Sequence, residues 1–164
     1  MNQLIDSVWH ERHCLVHGDF SPKNLLVHAN SVTLIDFEVG HFGDPAFDIG
    51  FFLTHLMFKA FYHLPRHSPF LELIGSFWGN YAAAMTPFVA PNDFESLVFR
   101  GIQNFAGCTL ARLVGKRKID YLDDQLRRDS LFELSRNILT NHPERWAAVH
   151  QLACRLLSDR QLDS

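Results

Sequence analysis

His17-Gly18-Asp19-Phe20-Ser21-Pro22-Lys23-Asn24, followed by Ile35-Asp36-Phe37-Glu38, is the stretch from which the rest of this chain can be read. Two carboxylates and a carboxamide, Asp19, Asp36 and Asn24, are hard oxygen ligands that suit Mg²⁺ better than zinc or copper. Short apolar runs flank them: Cys14-Leu15-Val16 before, Leu25-Leu26-Val27 after, and the β-branched run Val32-Thr33-Leu34-Ile35 ahead of Asp36. Between the last two runs, His28-Ala29-Asn30-Ser31 has turn chemistry, which predicts a β-hairpin. The acidic residues therefore fall on loops that bound short strands, where their tips can be brought together. Phosphoryl transfer from ATP needs such a set: a Mg²⁺ to neutralise phosphate charge, and a carboxylate to orient the attacking hydroxyl and take its proton.

Beyond residue 40 the apolar period changes to that of helices. Asp44 before Pro45 is an N-cap followed by proline at the first helical position. The helix it opens is apolar almost all round (Phe47, Ile49, Phe51, Phe52, Leu53, Leu56, Met57, Phe58), predicts burial on most sides, and should stop before Pro65. Ser68-Pro69 repeats the cap-then-proline signal for a second helix. A third is expected from about Asn92 to Val114, with Gly115 at its C-cap, a fourth over roughly Asp123 to Leu139, and a fifth from Pro143. Residues 2 to 12 read as the tail of a further helix. The expected fold class is α+β, mostly α: a short β-hairpin region followed by a helical bundle.

The pair Asp19 and Asn24 resembles the catalytic loop of the protein kinase superfamily, His-x-Asp-x-x-x-x-Asn. The variant His17-Gly18-Asp19 is similar to that of the aminoglycoside phosphotransferase, choline kinase and homoserine kinase group. Asp36-Phe37-Glu38 stands where the superfamily has its Asp-Phe-Gly metal segment, and Gly43-Asp44-Pro45-Ala46-Phe47-Asp48-Ile49-Gly50 resembles the segment that follows it in this group. Three segments in the right order make the resemblance specific. It implies the C-terminal lobe of a protein-kinase-like fold, ATP as co-substrate, Mg²⁺ as cofactor, and a small-molecule hydroxyl as acceptor. It also implies roles. Asp19 is the catalytic base, Asn24 and Asp36 hold Mg²⁺ against the nucleotide phosphates, and Glu38 supports a second metal through water or positions its loop. His17 and Asp48 are braces, Asp48 through hydrogen bonds to the backbone of the catalytic loop.

Blander readings stand beside these. Asp36 can simply end a strand, and a carboxylate at Asp48 is favoured by the helix dipole wherever it occurs. Lys23 reads as a surface lysine, because protein kinases that use a loop lysine place it two residues after the aspartate. The histidines lack any His-Glu-x-x-His arrangement and read as scattered core or surface residues. Trp78 and Tyr81 read as core first, with the wall of a substrate cleft as the alternative, and the basic clusters at 116–118 and 127–128 as a solvated, mixed-charge face.

Composition narrows the classes further. A chain of 164 residues, 47% apolar and 20% charged, has the proportions of one globular domain with a sizeable core, which its fifteen phenylalanines fill with large rings. A net charge of −3 gives no general electrostatic reason to bind nucleic acid or an acidic membrane. Three widely spaced cysteines indicate neither a disulfide framework nor a thiolate zinc site, and no run is apolar enough to span a bilayer, so the reducing cytoplasm is the expected location. The residues before His17 leave no room for a nucleotide-gripping lobe with its glycine-rich loop, so the expected organisation is a single domain, 1–164, that is a C-terminal catalytic lobe without the N-terminal one. The face left open should be apolar and should accept a separately encoded N-lobe or a second copy of the chain. Three readings follow: the separate lobe of a small-molecule kinase, a non-catalytic kinase-like module that pairs with another chain, and a metal-dependent hydrolase reusing the same carboxylates.

Overall fold

The computed structural model describes residues 11–29, 31–116 and 119–162, with side chains to residue 159. Most of the helix expected at 2–12 lies outside the described residues, and residues 11–12 are not helical. Two small antiparallel sheets come first. Strand β1 (Cys14–Val16) pairs with β4 (His41–Gly43), Leu15 opposite Phe42, and β2 (Leu25–His28) pairs with β3 (Ser31–Leu34), Leu25 opposite Leu34. The second pair is the predicted hairpin. The first was not foreseen, because β4 is short and takes its extended form from pairing with β1.

Five helices follow: α1 (Pro45–Tyr62), α2 (Ser68–Met85), α3 (Pro91–Val114), α4 (Gln125–Asn141) and α5 (Trp146–Leu162). Asp44 caps α1 as its sequence demands, accepting the Ala46 amide at 3.0 Å. Ser68 does not cap α2. The chain is already helical at His67, whose carbonyl takes the Phe70 amide at 3.1 Å, so Ser68 lies inside the first turn. The last helix opens at Trp146 rather than Pro143, after His142 closes α4 in the left-handed region at φ 49°.

Helix α1 is buried over most of its surface and lies against α3, with α2 and α4 flanking it. Phe58, Phe61 and Phe105 are sealed completely, each contributing roughly 1.5–3 kcal/mol of burial. Gly50 allows α1 and α3 to approach, since a Cβ there would lie 2.5 Å from the Phe105 nitrogen. Gly115 ends α3 as expected; a Cβ would collide with the Ala111 carbonyl. Arg128 departs from the solvated-face reading. Its guanidinium donates to the Leu113 carbonyl at 2.5 Å, at the C-terminal end of α3, and to the Leu122 carbonyl at 3.1 Å in the connection to α4. Arg127 keeps to the surface, 3.3 Å from Asp124.

Strand β1 lies against α1, and the strand region carries exposed apolar side chains: Leu15 at 73%, Val27 at 73%, Val32 at 64%, Phe42 at 60% and Phe37 at 55%. Among the described residues no helix is long and apolar enough to cross a membrane.

Candidate active site

The loop after β1 begins at His17, and its backbone is gripped from below. Asp48, in the first turn of α1, accepts the His17 amide at 2.6 Å on one carboxylate oxygen and the Gly18 amide at 2.9 Å on the other. Asp48 thus holds both amides at the start of this loop. Gly18 is required for two reasons: its φ is +79°, and a Cβ would lie 2.8 Å from the Val39 carbonyl.

His17 braces in a different direction. Its Nδ1 accepts the Asp19 amide at 3.2 Å, and its Nε2 lies 2.9 Å from the Ile35 carbonyl. A carbonyl can only accept, so the proton resides on Nε2 and the tautomer is fixed. The buried ring thus ties the Asp19 loop to the residue before Asp36, and it rests 4.8 Å from the Phe37 ring. A second tie runs alongside, from the Ile35 amide to the Asn24 carbonyl at 3.0 Å.

Asn24 ends a single 3-10 turn, Pro22–Asn24, which folds it back toward Asp19. Its Nδ2 donates to the Asp19 carbonyl at 2.9 Å and to an Asp19 carboxylate oxygen at 3.2 Å. With the amide nitrogen engaged, the carbonyl oxygen of this buried side chain is the group left for a cation. Asp36 is exposed and holds φ +70°, a left-handed conformation uncommon for a residue with a side chain and frequent where function fixes the backbone. Glu38 is exposed, with no hydrogen bond or ion pair among the described residues.

Lys23, read from sequence as a surface lysine, is indeed mostly exposed, but its ammonium lies 2.8 Å from the Asp19 carboxylate. Partial burial on its own would raise the Asp19 carboxyl; the hydrogen bond and charge of Lys23, helped by Asn24, outweigh it and hold the group below its ordinary value. The sequence reads His55 only as one of the scattered core or surface histidines. His55 on α1 is pushed down to about 4 by burial and by Arg112, with Lys23 and Lys59 adding and Asp19 opposing, so it is neutral at pH 7. Its ring meets Phe51 edge-on at 4.9 Å, and its Nε2 is buried with no hydrogen-bond partner.

Behind His17 lies a cavity of about 290 Å³ walled by Phe20, Phe37, Asp48, Ile49, Phe77 and Tyr81 among others. Tyr81 thus does line a hollow beside the site, whereas Trp78 packs into the core. Among the described residues no three His, Cys, Asp or Glu side chains converge as a metal cage. The donors present fit Mg²⁺: it takes one or two protein oxygens and completes its shell with water and phosphate oxygens, and Asn24 with Asp36 supplies that number.

Two comparisons bear on this geometry. The family described as "Phosphotransferase enzyme family" matches residues 2–88. Among curated proteins, a methylthioribose kinase of Exiguobacterium sibiricum is 30% identical over 112 residues, covering 60% of this chain and 29% of the relative. A methylthioribose kinase of Bacillus thuringiensis is 26% identical over 149 residues, covering 79% of this chain and 37% of the relative. The chain therefore spans roughly a third of the length of the curated relatives it matches.

Proposed function

The chain belongs to the phosphotransferase enzyme family, and from that premise we propose that it supplies the catalytic and metal-binding part of an ATP-dependent kinase acting on a small-molecule hydroxyl. The observation that carries this reading is the set of ties joining Asp19, Asn24 and the loop of Asp36. His17 and the Asn24 backbone both bond to Ile35, and Asn24 bonds to Asp19.

In the proposed reaction the acceptor hydroxyl faces Asp19. Its oxygen forms a bond to the γ-phosphorus of ATP as the bond from that phosphorus to the bridging oxygen breaks, releasing ADP. The hydroxyl proton passes to the Asp19 carboxylate, which its neighbours keep ionised. Because the transition state is loose, orientation by Asp19 contributes more than its basicity. Asn24 and Asp36 would hold Mg²⁺, which neutralises charge on the phosphates. His17 and Asp48 fix the loop. Glu38 is proposed only as an outer contact of the metal loop.

Methylthioribose kinase relatives support a sugar-like polyhydroxylated acceptor. The exposed apolar face of the strands supports docking of a nucleotide-gripping lobe or, failing that, of a second copy of this chain. The same face favours a second reading, a non-catalytic module that works by pairing. ATP chemistry of this kind belongs in the cytoplasm, where the free thiols of Cys14, Cys108 and Cys154 stay reduced.

The test is transfer from γ-labelled ATP to a panel of hydroxylated acceptors, methylthioribose included, with wild type, Asp19→Asn and Asp36→Ala. Loss of the base is expected to cost about 10²- to 10⁴-fold in rate, and Asp36→Ala should weaken Mg²⁺-ATP binding as well. Nucleotide binding that is equally strong in Asp36→Ala would count against the kinase site; binding without transfer would favour the pairing module.

A further inference from the structure

The N-terminus of α1 is held by a second acidic residue, one helical turn before Asp48. Asp44 is buried, and its carboxylate does more than cap the helix. Arg100, reaching across from α3, donates Nε to one Asp44 oxygen at 2.7 Å and Nη2 to the other at 3.2 Å. The remaining guanidinium nitrogen donates to Ser96 at 2.7 Å, and the Arg100 carbonyl takes the Asn104 side-chain amide at 3.0 Å. The side chains of the pair are 15% and 1% exposed, so this is an ion pair inside the protein, where a lone carboxylate would be costly.

We propose that Arg100 is a positioning residue for the catalytic loop, acting through Asp44 and the first turn of α1 on the Asp48 carboxylate. Three features of the arrangement support it. The fork fixes Asp44 in two directions at once, which sets the rotation of the first helical turn as well as its depth. Asp44, the N-cap, stands one turn before Asp48 at the same end of α1, where two uncompensated carboxylates repel, and Arg100 neutralises the inner one. Finally, α3 packs closely on α1 just beyond this turn: a Cβ added at Gly50 would lie 2.5 Å from the Phe105 nitrogen and 2.8 Å from the Asn104 carbonyl carbon. The two oxygens of Asp48 can bond the His17 and Gly18 amides together only while that turn keeps its place. The description of Arg100 as serving catalysis rests on the reading of Asp19 as the base; the mechanical coupling does not.

Amide hydrogen exchange on the full chain, read by NMR without nucleotide, tests the coupling directly. Asp44→Asn keeps an oxygen for the Ala46 amide while cutting the ion pair, and Arg100→Met keeps the aliphatic stem. Both variants should exchange the His17 and Gly18 amides at least about tenfold faster, while Phe58 and Phe105 amides keep wild-type rates. Arg100→Lys, which retains the charge but not the fork and so guards against a variant that fails to fold, should fall between. Wild-type rates at His17 and Gly18, or a rise shared equally by Phe58 and Phe105, would overturn the proposal. In a transfer assay, Arg100→Met should lower kcat with the KM for ATP unchanged. Absence of transfer in wild type would remove the kinase reading and leave the exchange result standing.

Discussion

Replacing Gly50 by alanine sets two effects of opposite sign against each other. Glycine in a helix interior is disfavoured relative to alanine by about 0.8–1 kcal/mol, so propensity alone would make the variant more stable. Packing opposes this. The added methyl would lie 2.5 Å from the Phe105 nitrogen, 2.7 Å from the Asn104 Cβ and 2.8 Å from the Asn104 carbonyl carbon. These atoms belong to the backbone and inner side chain of α3, and no flexible tip is available to move aside. Overpacking of this kind costs about 1–3 kcal/mol, and contact with backbone puts the site at the upper end. The net expectation is a loss of about 1–2 kcal/mol, visible in urea denaturation as a lower midpoint with unchanged slope. The separation of α1 from α3 should also draw Asp48 from the His17 and Gly18 amides and weaken any transfer activity. A variant as stable as wild type, or more stable, would refute the claim that this close approach sets the position of the site.

Two further outcomes follow from the ionisable groups. His55 is depressed to about 4 in the folded protein, so between that value and the ordinary histidine range the unfolded chain binds more protons and stability falls as pH is lowered. Allowing for solvent screening of a partly exposed ring, the fall from pH 7 to pH 5 should be about 1 kcal/mol. His55→Gln should flatten this limb in denaturation curves taken across that range, and an unchanged limb would show that another group is responsible. For Asp19, Lys23→Met removes the hydrogen bond and charge that lower its carboxyl, leaving the burial that raises it. The Asp19 carboxyl carbon should therefore titrate at higher pH in the variant, as followed by ¹³C NMR; an unmoved or lower midpoint would contradict the pairing.

What was legible in the sequence was local. The separation of Asp19 and Asn24 is bridged by one 3-10 turn, and Asp44-Pro45 writes its own helix start, so both could be read from a few adjacent residues. The brace at Asp48 was legible through the resemblance, since nothing in its local pattern distinguishes it from any first-turn carboxylate. The unread parts depend on partners far along the chain. Strand β4 exists because β1 pairs with it, and Arg100 finds Asp44 across 56 positions. His55 owes its neutrality first to burial and then to Arg112, Lys23 and Lys59, whose convergence no apolar period announces. Arg128 reads as one member of a charged surface run and instead binds the Leu113 carbonyl at the end of α3 and the Leu122 carbonyl beyond it.

The proposed reaction requires Asn24 and Asp36 to face one cation beside Asp19. Mn²⁺-ATP in place of the magnesium complex reports on this directly, because the paramagnetic ion broadens NMR signals of the nearest nuclei. The side-chain amide of Asn24 and the backbone amide of Asp36 should broaden first and together, with α5 signals such as that of His150 unaffected. Broadening that spares both residues, or that centres elsewhere in the protein, would contradict the account.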